Sequence, residues 1–521
     1  MSLAVPLEKH RAASLPPPAQ KVASLEPELS KLMPGRVSRV DNDRLIYARD
    51  MWPLGILWAR QGMTPPPPDL VCWPKDEAEL VALVQLARRE KFPLIPYGAG
   101  SGVCGGTWAT HGGVMVDLKH FDQLDPVDPE ARTVFAGAGV MGETFERRLE
   151  SQGYTLGHFP SSIYMSTVGG WLAARSAGQL SSRYGKIEDM ALSVRFVTGS
   201  GEVLATPQRP FSGPDLNPLL IGTEGTCGFF TGATLRVFPS PTGRAFRGFE
   251  CGSVQQGLEG IRQLFRAGLK PAVVRLYDPF DTAFVGKPKP AHKGKAPSFQ
   301  TPLERDVVPS MLRFAASQVL GRPKLLNLTS RLFNRSRLIV MFEGEAVRVA
   351  SEMAEAQRVM QRLGAADLGE EPGKQWYVKR YDVSYRMSKV IDSGAFADTM
   401  EVAAPWEKVH EVYERVRAAA SPHAFVLCHF SHAYLEGCSL YFSFVGSGED
   451  EDETQRRYHA LWRAALSAAV GAGANVSHHH GIGLLKADVF QQSLGEARHA
   501  LKALKDHFDP DGVMNPGKLG L

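Results

Sequence analysis

No two of the six cysteines (Cys72, Cys104, Cys227, Cys251, Cys428 and Cys438) stand at the C-x-x-C spacing of a zinc or redox site. Scattered in this way, they are expected to be free thiols in a reducing compartment. No apolar run approaches the ~20 residues that a membrane span needs. The N-terminal stretch MSLAVPLEKHRAASLPPPAQ has no apolar core of signal-peptide length, and the C-terminal GKLGL is not the peroxisomal tripeptide. Charge of one sign is also missing. Lys plus Arg number 59 and Asp plus Glu 55, a net of +4 that is too small over 521 residues to argue for nucleic acid. These absences leave a cytoplasmic globular protein as the expectation. Its length argues for two or three domains.

A dinucleotide fingerprint of the G-x-G-x-x-G type is missing too. The stretch "PYGAGSG" (96–102) follows the short apolar run "FPLIPYG", but it leads into more glycine and another strand, not into a helix. A strand followed by a glycine-rich loop still brings main-chain N–H groups close to an anion. An ordinary glycine turn reads equally well for this loop alone. Two further small-residue stretches shift that balance: "PSSIYMSTVGGWLAARSAGQLSSRYGKIEDM" (160–190) and "GTEGTCGFFTGATLRV" (222–237). Three such loops in one α+β domain suggest a large phosphate-bearing cofactor gripped by backbone.

Around these loops the periodicities are clear. Leu80, Leu83, Val84 and Ala87 share one helical face, and Asp76 with Glu79 has capping-box spacing. Strands are expected at 114–118 and 132–140, and a helix at 142–153. A hairpin over 192–204 should turn at Gly199-Ser200-Gly201. The expected domains are a helical leader (1–65), a cofactor domain (66–241), a substrate domain (242–455) and a C-terminal segment (456–521). Within 286–337, Leu312, Ala315, Ala316, Val319 and Leu320 form an apolar stripe in a basic, Pro-containing context. It reads either as a surface insertion packed on the protein or as a helix that docks on an anionic membrane surface.

Taken in order, "PYGAGSG", "STVGGW…RYGKIEDM", "GTEGT", "HHHGIG" and "FDPDGVMNPGKL" resemble flavoproteins of the vanillyl-alcohol-oxidase type, with a PCMH-type FAD-binding domain. Within that group "GHFPSSIYMSTVGGW", "YGKIEDM", "PAVVRLYD", "EVAAPW", "GCSLYF" and "SHHHGIG" are similar to the alkylglycerone-phosphate synthases. The resemblance runs from about residue 68 to 521. It implies an α+β fold: an FAD domain of two α/β subdomains, a cap domain with an antiparallel sheet, and a C-terminal helical segment returning to the flavin.

The resemblance also implies FAD contacts. These are Pro96, Tyr97, Gly98, Ala99, Gly100, Ser101 and Gly102 in the first loop, then Ser161, Ser162, Ser166, Thr167, Gly169 and Gly170. Further contacts are Ala174, Arg175, Ser176 and Ala177, and after them Glu224, Gly225, Thr226, Cys227, Gly228, Phe229 and Phe230, with Asn515 near the end. Some relatives attach the flavin through a histidine in the first loop. GAGSGVCGG holds none, so non-covalent FAD is expected, with Cys104 a remote alternative for attachment.

His478, His479 and His480 are adjacent, and adjacent side chains point in different directions, which disfavours a shared metal. A packed polar cluster is one reading. Catalysis is the other, because the resemblance places this triplet against the flavin, where imidazoles shuttle protons near neutral pH. Tyr441 reads as a core strand residue by composition. By resemblance it is the proton donor and acceptor at the substrate carbon, a role that requires its pKa to fall from ~10. Arg275 matches an arginine important in the synthases. Where they place an arginine on the substrate phosphate, this chain has Met387, with Arg386 beside it. Either Arg386 substitutes, or the substrate is not phosphorylated. Two functions follow as expectations. One is exchange of an acyl chain for a fatty alcohol on dihydroxyacetone phosphate. The other is FAD-dependent oxidation of a hydroxyl-bearing substrate such as a 2-hydroxy acid. A lipid-like or small-molecule substrate is expected in both; a homodimer is compatible with the sequence and not fixed by it.

Overall fold

The computed structural model describes residues 7–209, 212–285, 323, 327, 334–381, 390–392 and 394–521. The apolar stripe at 312–320, Arg386 and Met387 lie outside the described residues. The chain divides into two compact units, Met1–Ser240 with Val476–Leu521, and Pro241–Asn475.

The first unit holds two four-stranded sheets. One has the order Val37–Ser38, Leu70–Cys72, Val114–Asp117, Leu94–Tyr97, with the last three strands parallel. The other is antiparallel, in the order Val203–Ala205, Ala191–Thr198, Gly228–Arg236, Thr133–Gly137. The hairpin turns at residues 199–201, where Gly201 takes φ +87°, a value open to glycine. Beside the parallel strands runs the helix Glu77–Glu90. Asp76 caps it, its carboxylate accepting from Glu79 N at 2.9 Å. Glu79 does not close the box on Asp76. It reaches back to Lys75 N at 2.9 Å and pairs with both nitrogens of Arg36 at 2.6 Å, which ties the early segment to the sheet. Leu80, Leu83, Val84 and Ala87 are fully buried on the expected face. Each Leu contributes about 2 kcal/mol by burial, and Leu83→Ala would cost about 3 kcal/mol with its cavity.

The C-terminal segment completes this unit. Leu94 N donates to Val513 O at 2.8 Å and Asn515 N donates to Leu94 O at 2.9 Å, so the last residues lie along the strand that feeds the glycine loop.

The second unit is built on one antiparallel sheet of seven strands. Their order is Ala366–Asp367, Gly243–Cys251, Ser336–Gly344, Val273–Tyr277, Phe425–Ala433, Gly437–Gly446, Phe396–Pro405. Helices Val254–Arg266, Ala346–Arg362 and Trp406–Ala420 cover it. Gly257 allows close contact, since a Cβ there would come within 2.4 Å of Leu276 Cδ1. The helix Glu451–Gly471 also packs in this unit, where Asp398 accepts from Tyr458 OH at 2.6 Å and Trp462 Nε1 at 2.8 Å. The return to the first unit thus falls at 475/476, later than the 455/456 boundary read from the sequence, because these two aromatic donors are satisfied by a buried carboxylate of the sheet. Among the described residues, no helix is long and apolar enough to cross a membrane.

Candidate active site

The first glycine loop leaves the strand Leu94–Tyr97 at the C-terminal end of the parallel strands. Among the described residues, none of the main-chain N–H groups of 99–103 donates to a protein acceptor. Residues 98–103 are partly or well exposed, which leaves these unclaimed donors accessible. Such a run of amides suits an anion.

The glycines separate into two kinds. Gly100 has φ +67°, and a Cβ on it would strike the Tyr97 hydroxyl. Gly169 lies against Ala138 and Gly225 against Pro96, where a Cβ would come within 2.7 and 2.6 Å. These are required by the protein's own packing. Gly102, Gly106 and Gly170 are different. None has positive φ, and a Cβ would meet nothing nearer than Asp50 Oδ2 at 3.5 Å, Glu224 Oε2 at 4.0 Å and Thr167 Oγ1 at 3.4 Å, respectively. The protein alone gives no reason for glycine there, whereas a ligand in close contact with the main chain does.

Next to Gly106, two buried polar atoms have no partner: Thr107 Oγ1 and Asn515 Oδ1. Asn515, at φ +41°, spends its Nδ2 on Glu224 O at 2.7 Å and Gly106 O at 3.1 Å. Bare backbone, open amides and orphaned polar atoms together fit a dinucleotide cofactor.

The second stretch forms a short helix, Val168–Ala174, capped by the Thr167 hydroxyl, which accepts from Gly170 N at 3.3 Å. Ser166 donates to Ser162 O at 2.9 Å and accepts from Trp171 Nε1 at 2.8 Å, so its hydroxyl serves the turn. Ser161 is exposed and accepts from Gln179 Nε2 at 3.2 Å. Arg175 ends the helix at φ +53° and pairs with Glu188 at 3.0 Å; Ala177 is buried. Ser176 bonds His158 Nε2 at 2.7 Å. Burial, with Lys186 nearby, pushes the His158 pKa down to about 3, so this imidazole is neutral. His158 lies within "GHFPSSIY", and its neighbours in that motif are the sequence signal that points to it.

The third stretch needs correction. Thr226, Cys227 and Phe229 have no exposed surface, and Phe230 is 3% exposed. Thr226 O accepts from Lys505 Nζ at 2.6 Å, and Gly228 is pressed against Val197 O, where a Cβ would sit at 2.2 Å. Thr226 and Cys227 lead into the core strand Gly228–Arg236, and their side chains and those of Phe229 and Phe230 are spent on the protein's own packing. Glu224 is the residue of this stretch whose side chain reaches another loop. It holds φ +49°, and its carboxylate accepts from Ile482 N at 2.6 Å and Gly483 N at 2.8 Å. Burial pushes its pKa up, and those two amides with Lys486 and Lys518 pull it back.

That clamp fixes the turn after the histidines. Gly481 and Gly483 have φ +81° and +52°, and a Cβ on Gly483 would lie 2.2 Å from Cys104 O. Leu484 N donates to the same Cys104 oxygen at 2.9 Å, and Cys104 Sγ lies 3.5 Å from Gly481 O. The Cys104 thiol is therefore buried as a stitch between two loops, which removes it from consideration as a flavin attachment point. Lys186 Nζ donates to His478 O at 2.8 Å, and Lys486 Nζ to Ser477 Oγ at 3.0 Å. The rings of His478, His479 and His480 meet edge to face, with centroids 5.2 and 4.7 Å apart.

Beneath the loops lie two buried charges that the sequence did not single out. Asp50 accepts from Gly106 N, Trp108 Nε1 and Trp52 N at 3.0–3.1 Å, and burial raises its pKa to about 6. Lys518 donates to Trp108 O at 2.7 Å; burial lowers its pKa to about 7 against the pull of Asp50 and Glu224.

In the second unit, the sheet gathers another group. Arg275 on Val273–Tyr277 donates from NH2 to His429 Nε2 at 2.7 Å. Arginine has only donors, so Nε2 carries the lone pair and the ring proton sits on Nδ1. Nδ1 lies 3.5 Å from Asp281 Oδ2. Strand register places His429 opposite both Tyr277 and Tyr441. The Tyr441 hydroxyl donates to Thr399 Oγ1 at 3.1 Å. Burial raises the Tyr441 pKa, while the Thr399 bond and Arg275 lower it. The direction is opposite to the one a resting base requires: burial, the largest of these influences, favours the neutral phenol. His429 joins Arg275 through strand pairing that no local sequence signal announces, whereas Asp281 follows six residues after Arg275 on the short helix Pro279–Val285.

The comparisons with known proteins agree with this geometry. Residues 240–519 match the model described as "FAD linked oxidases, C-terminal domain", and residues 68–206 match "FAD binding domain". An alkyldihydroxyacetonephosphate synthase of Trypanosoma brucei brucei is 30% identical over 97% of this chain and 82% of its own length. An uncharacterized FAD-linked oxidoreductase, YgcU of Escherichia coli (strain K12), is 29% identical over 80% of this chain and 82% of its own length. A solved alkyldihydroxyacetonephosphate synthase structure superposes with TM-score 0.75 at 25% identity, over 99% of this chain and 88% of that one. The two-subdomain cofactor unit, the antiparallel cap sheet and these matches identify the chain as an FAD-binding enzyme of the FAD-linked oxidase family.

Proposed function

We propose that the enzyme exchanges the acyl chain of an acyl-dihydroxyacetone phosphate for a long-chain alcohol, forming an ether bond. The observation that carries this reading is Tyr441 seated against Arg275 and His429 on the cap sheet, in a chain 30% identical to a protein named alkyldihydroxyacetonephosphate synthase. When bound, FAD supplies an electron-accepting ring at the cofactor loops. The residues then divide the remaining work. The amides of 99–103 hold the cofactor phosphates. Glu224 fixes the turn that presents His478, His479 and His480. Arg275 supplies fixed positive charge beside Tyr441. Tyr441 exchanges a proton with the substrate carbon at its phenol oxygen, and that cation favours the phenolate that accepts it.

The second reading is oxidation of a hydroxyl-bearing substrate such as a 2-hydroxy acid. Met387, in place of the arginine expected on the substrate phosphate, favours it, as does the similarity to an FAD-linked oxidoreductase. Anaerobic mixing of the yellow protein with each candidate decides between them. Alkyl product from acyl-dihydroxyacetone phosphate and hexadecanol, without net bleaching, supports the exchange. Bleaching by a 2-hydroxy acid with no ether product removes it.

A further inference from the structure

We propose that Arg275, His429 and Asp281 form an anion subsite in which binding of a phosphate or carboxylate group at Arg275 is linked to uptake of a proton at Asp281. The proposal rests on the substrate-binding role of this site given above and names its chemistry.

Arg275 is half-buried, and its Nε is buried with no acceptor. It keeps donors beyond the one that meets His429, and its guanidinium stands 5.5 Å from the Tyr277 ring centre and 5.9 Å from that of Trp376. A planar donor set between aromatic rings suits an oxyanion. His429 is 6% exposed and Asp281 7% exposed, so neither charge is relieved by water. His429 Nε2 is spent on Arg275, and burial followed by the Arg275 charge holds this imidazole neutral. Asp281 is therefore the group of the three that titrates near neutrality; burial raises its pKa to about 7, against the pull of Arg275.

The surroundings do not take over that role. Asp278 is tied to Arg417 and Tyr413 and accepts from Asp281 N at 2.8 Å; burial raises its pKa to about 6, and it feels the charge of Asp281, so it titrates below Asp281 and pairs with Arg417 in place of Arg275. Asp398 is held by Tyr458 and Trp462, and Glu401 stands opposite Tyr441 on the next strand. Arg337 stands opposite Tyr277, and burial keeps the Cys428 thiol protonated. With Asp281 ionised, the Arg275 charge is balanced internally and an incoming anion is repelled. With Asp281 protonated, that charge is available. An anion at Arg275 in turn raises the affinity of Asp281 for a proton.

Sulfate is the probe, because its charge does not change near neutrality. In calorimetric titrations of the FAD-loaded enzyme, sulfate should bind about tenfold more tightly at about pH 6 than at about pH 8. Asp281→Asn should bind at the tighter level with no pH dependence, and Arg275→Gln should not bind. Wild-type binding that is absent or flat with pH, or a wild-type slope retained by Asp281→Asn, overturns the proposal. If Asp281→Asn does not fold, the wild-type titration near pH 7 in two buffers of different ionisation heat takes its place. Proton uptake supports the linkage, and none overturns it. Dihydroxyacetone phosphate and hexadecanoate are then added separately as competitors. Displacement by the first assigns the subsite to the phosphate end and by the second to the carboxylate end; displacement by neither overturns its assignment to substrate. An enzyme with the linkage but no ether product loses the exchange reading and keeps this one.

Discussion

The imidazole of His429 lies nearly parallel to the phenol ring of Tyr441, with centroids 4.7 Å apart and planes inclined by 19°. The contact follows from strand register, since the two residues are directly opposed on neighbouring antiparallel strands. It holds the phenol in place from one side, while Thr399 holds its hydroxyl.

Tyr441→Phe keeps the ring stack and loses the proton. We expect turnover to fall by at least about a hundredfold, the usual scale for a lost acid–base group. The fold should lose only about 1 kcal/mol, the worth of one hydrogen bond. Flavin absorbance and product assays on the same preparation check both parts; turnover near the wild-type rate would contradict the role given to Tyr441.

Glu224→Ala leaves the Ile482 and Gly483 amides without their carboxylate. Two charge-assisted bonds are removed, with an expected destabilisation of about 2–4 kcal/mol. Hydrogen exchange at residues 482 and 483 should accelerate in the variant. Unchanged exchange there would mean that the turn is held by something other than this clamp.

The glycines offer a paired comparison. Gly106→Ala should leave the melting temperature of the apoprotein within about 2 °C, because no protein atom obstructs the new methyl. Its affinity for FAD should fall by tenfold or more, as a close backbone contact is lost. Gly483→Ala meets Cys104 O and a left-handed backbone, so it should lose about 2 kcal/mol or more of stability. Fluorescence titration with FAD and thermal melts of both variants separate the two kinds of glycine.

His158 sets an acid limit. Its pKa in the fold, about 3, lies below the unfolded value of 6.5. Its contribution is therefore complete above about pH 6.5 and is lost as pH falls toward 3, by roughly 4–5 kcal/mol at the lower end. Denaturant unfolding between pH 7 and 4 should show this slope, and His158→Gln should flatten it. A variant as acid-sensitive as the wild type would place the liability elsewhere.

Much of the cofactor unit was legible because its signals are local. The Asp76 cap, the Leu80–Leu83–Val84–Ala87 face and the Gly199–Gly201 turn each lie within a few residues of chain, and each is found as read. The glycine loops carried the family resemblance for the same reason. What the sequence hid depends on long-range pairing. Glu224 read as a backbone contact, yet its side chain reaches residues 482 and 483. His429 acquires meaning only when two neighbouring strands, far apart in sequence, bring it beside Arg275 and within reach of Asp281. The burial of Cys227, Phe229 and Phe230 is hidden for the same reason, since a small-residue loop and the start of a buried strand look alike until register is known.

The segment Val476–Leu521 belongs to the cofactor unit, although the residues of the cap lie between it and the rest of that unit. During synthesis the strand Leu94–Tyr97 is made early, but its neighbour at Val513–Asn515 leaves the ribosome much later. Until then the cofactor unit lacks Lys518, Asn515 and the main-chain partners of Leu94. A stop before Val513 would leave Leu94, at the head of the glycine loop, without the main-chain partners that Val513 and Asn515 supply.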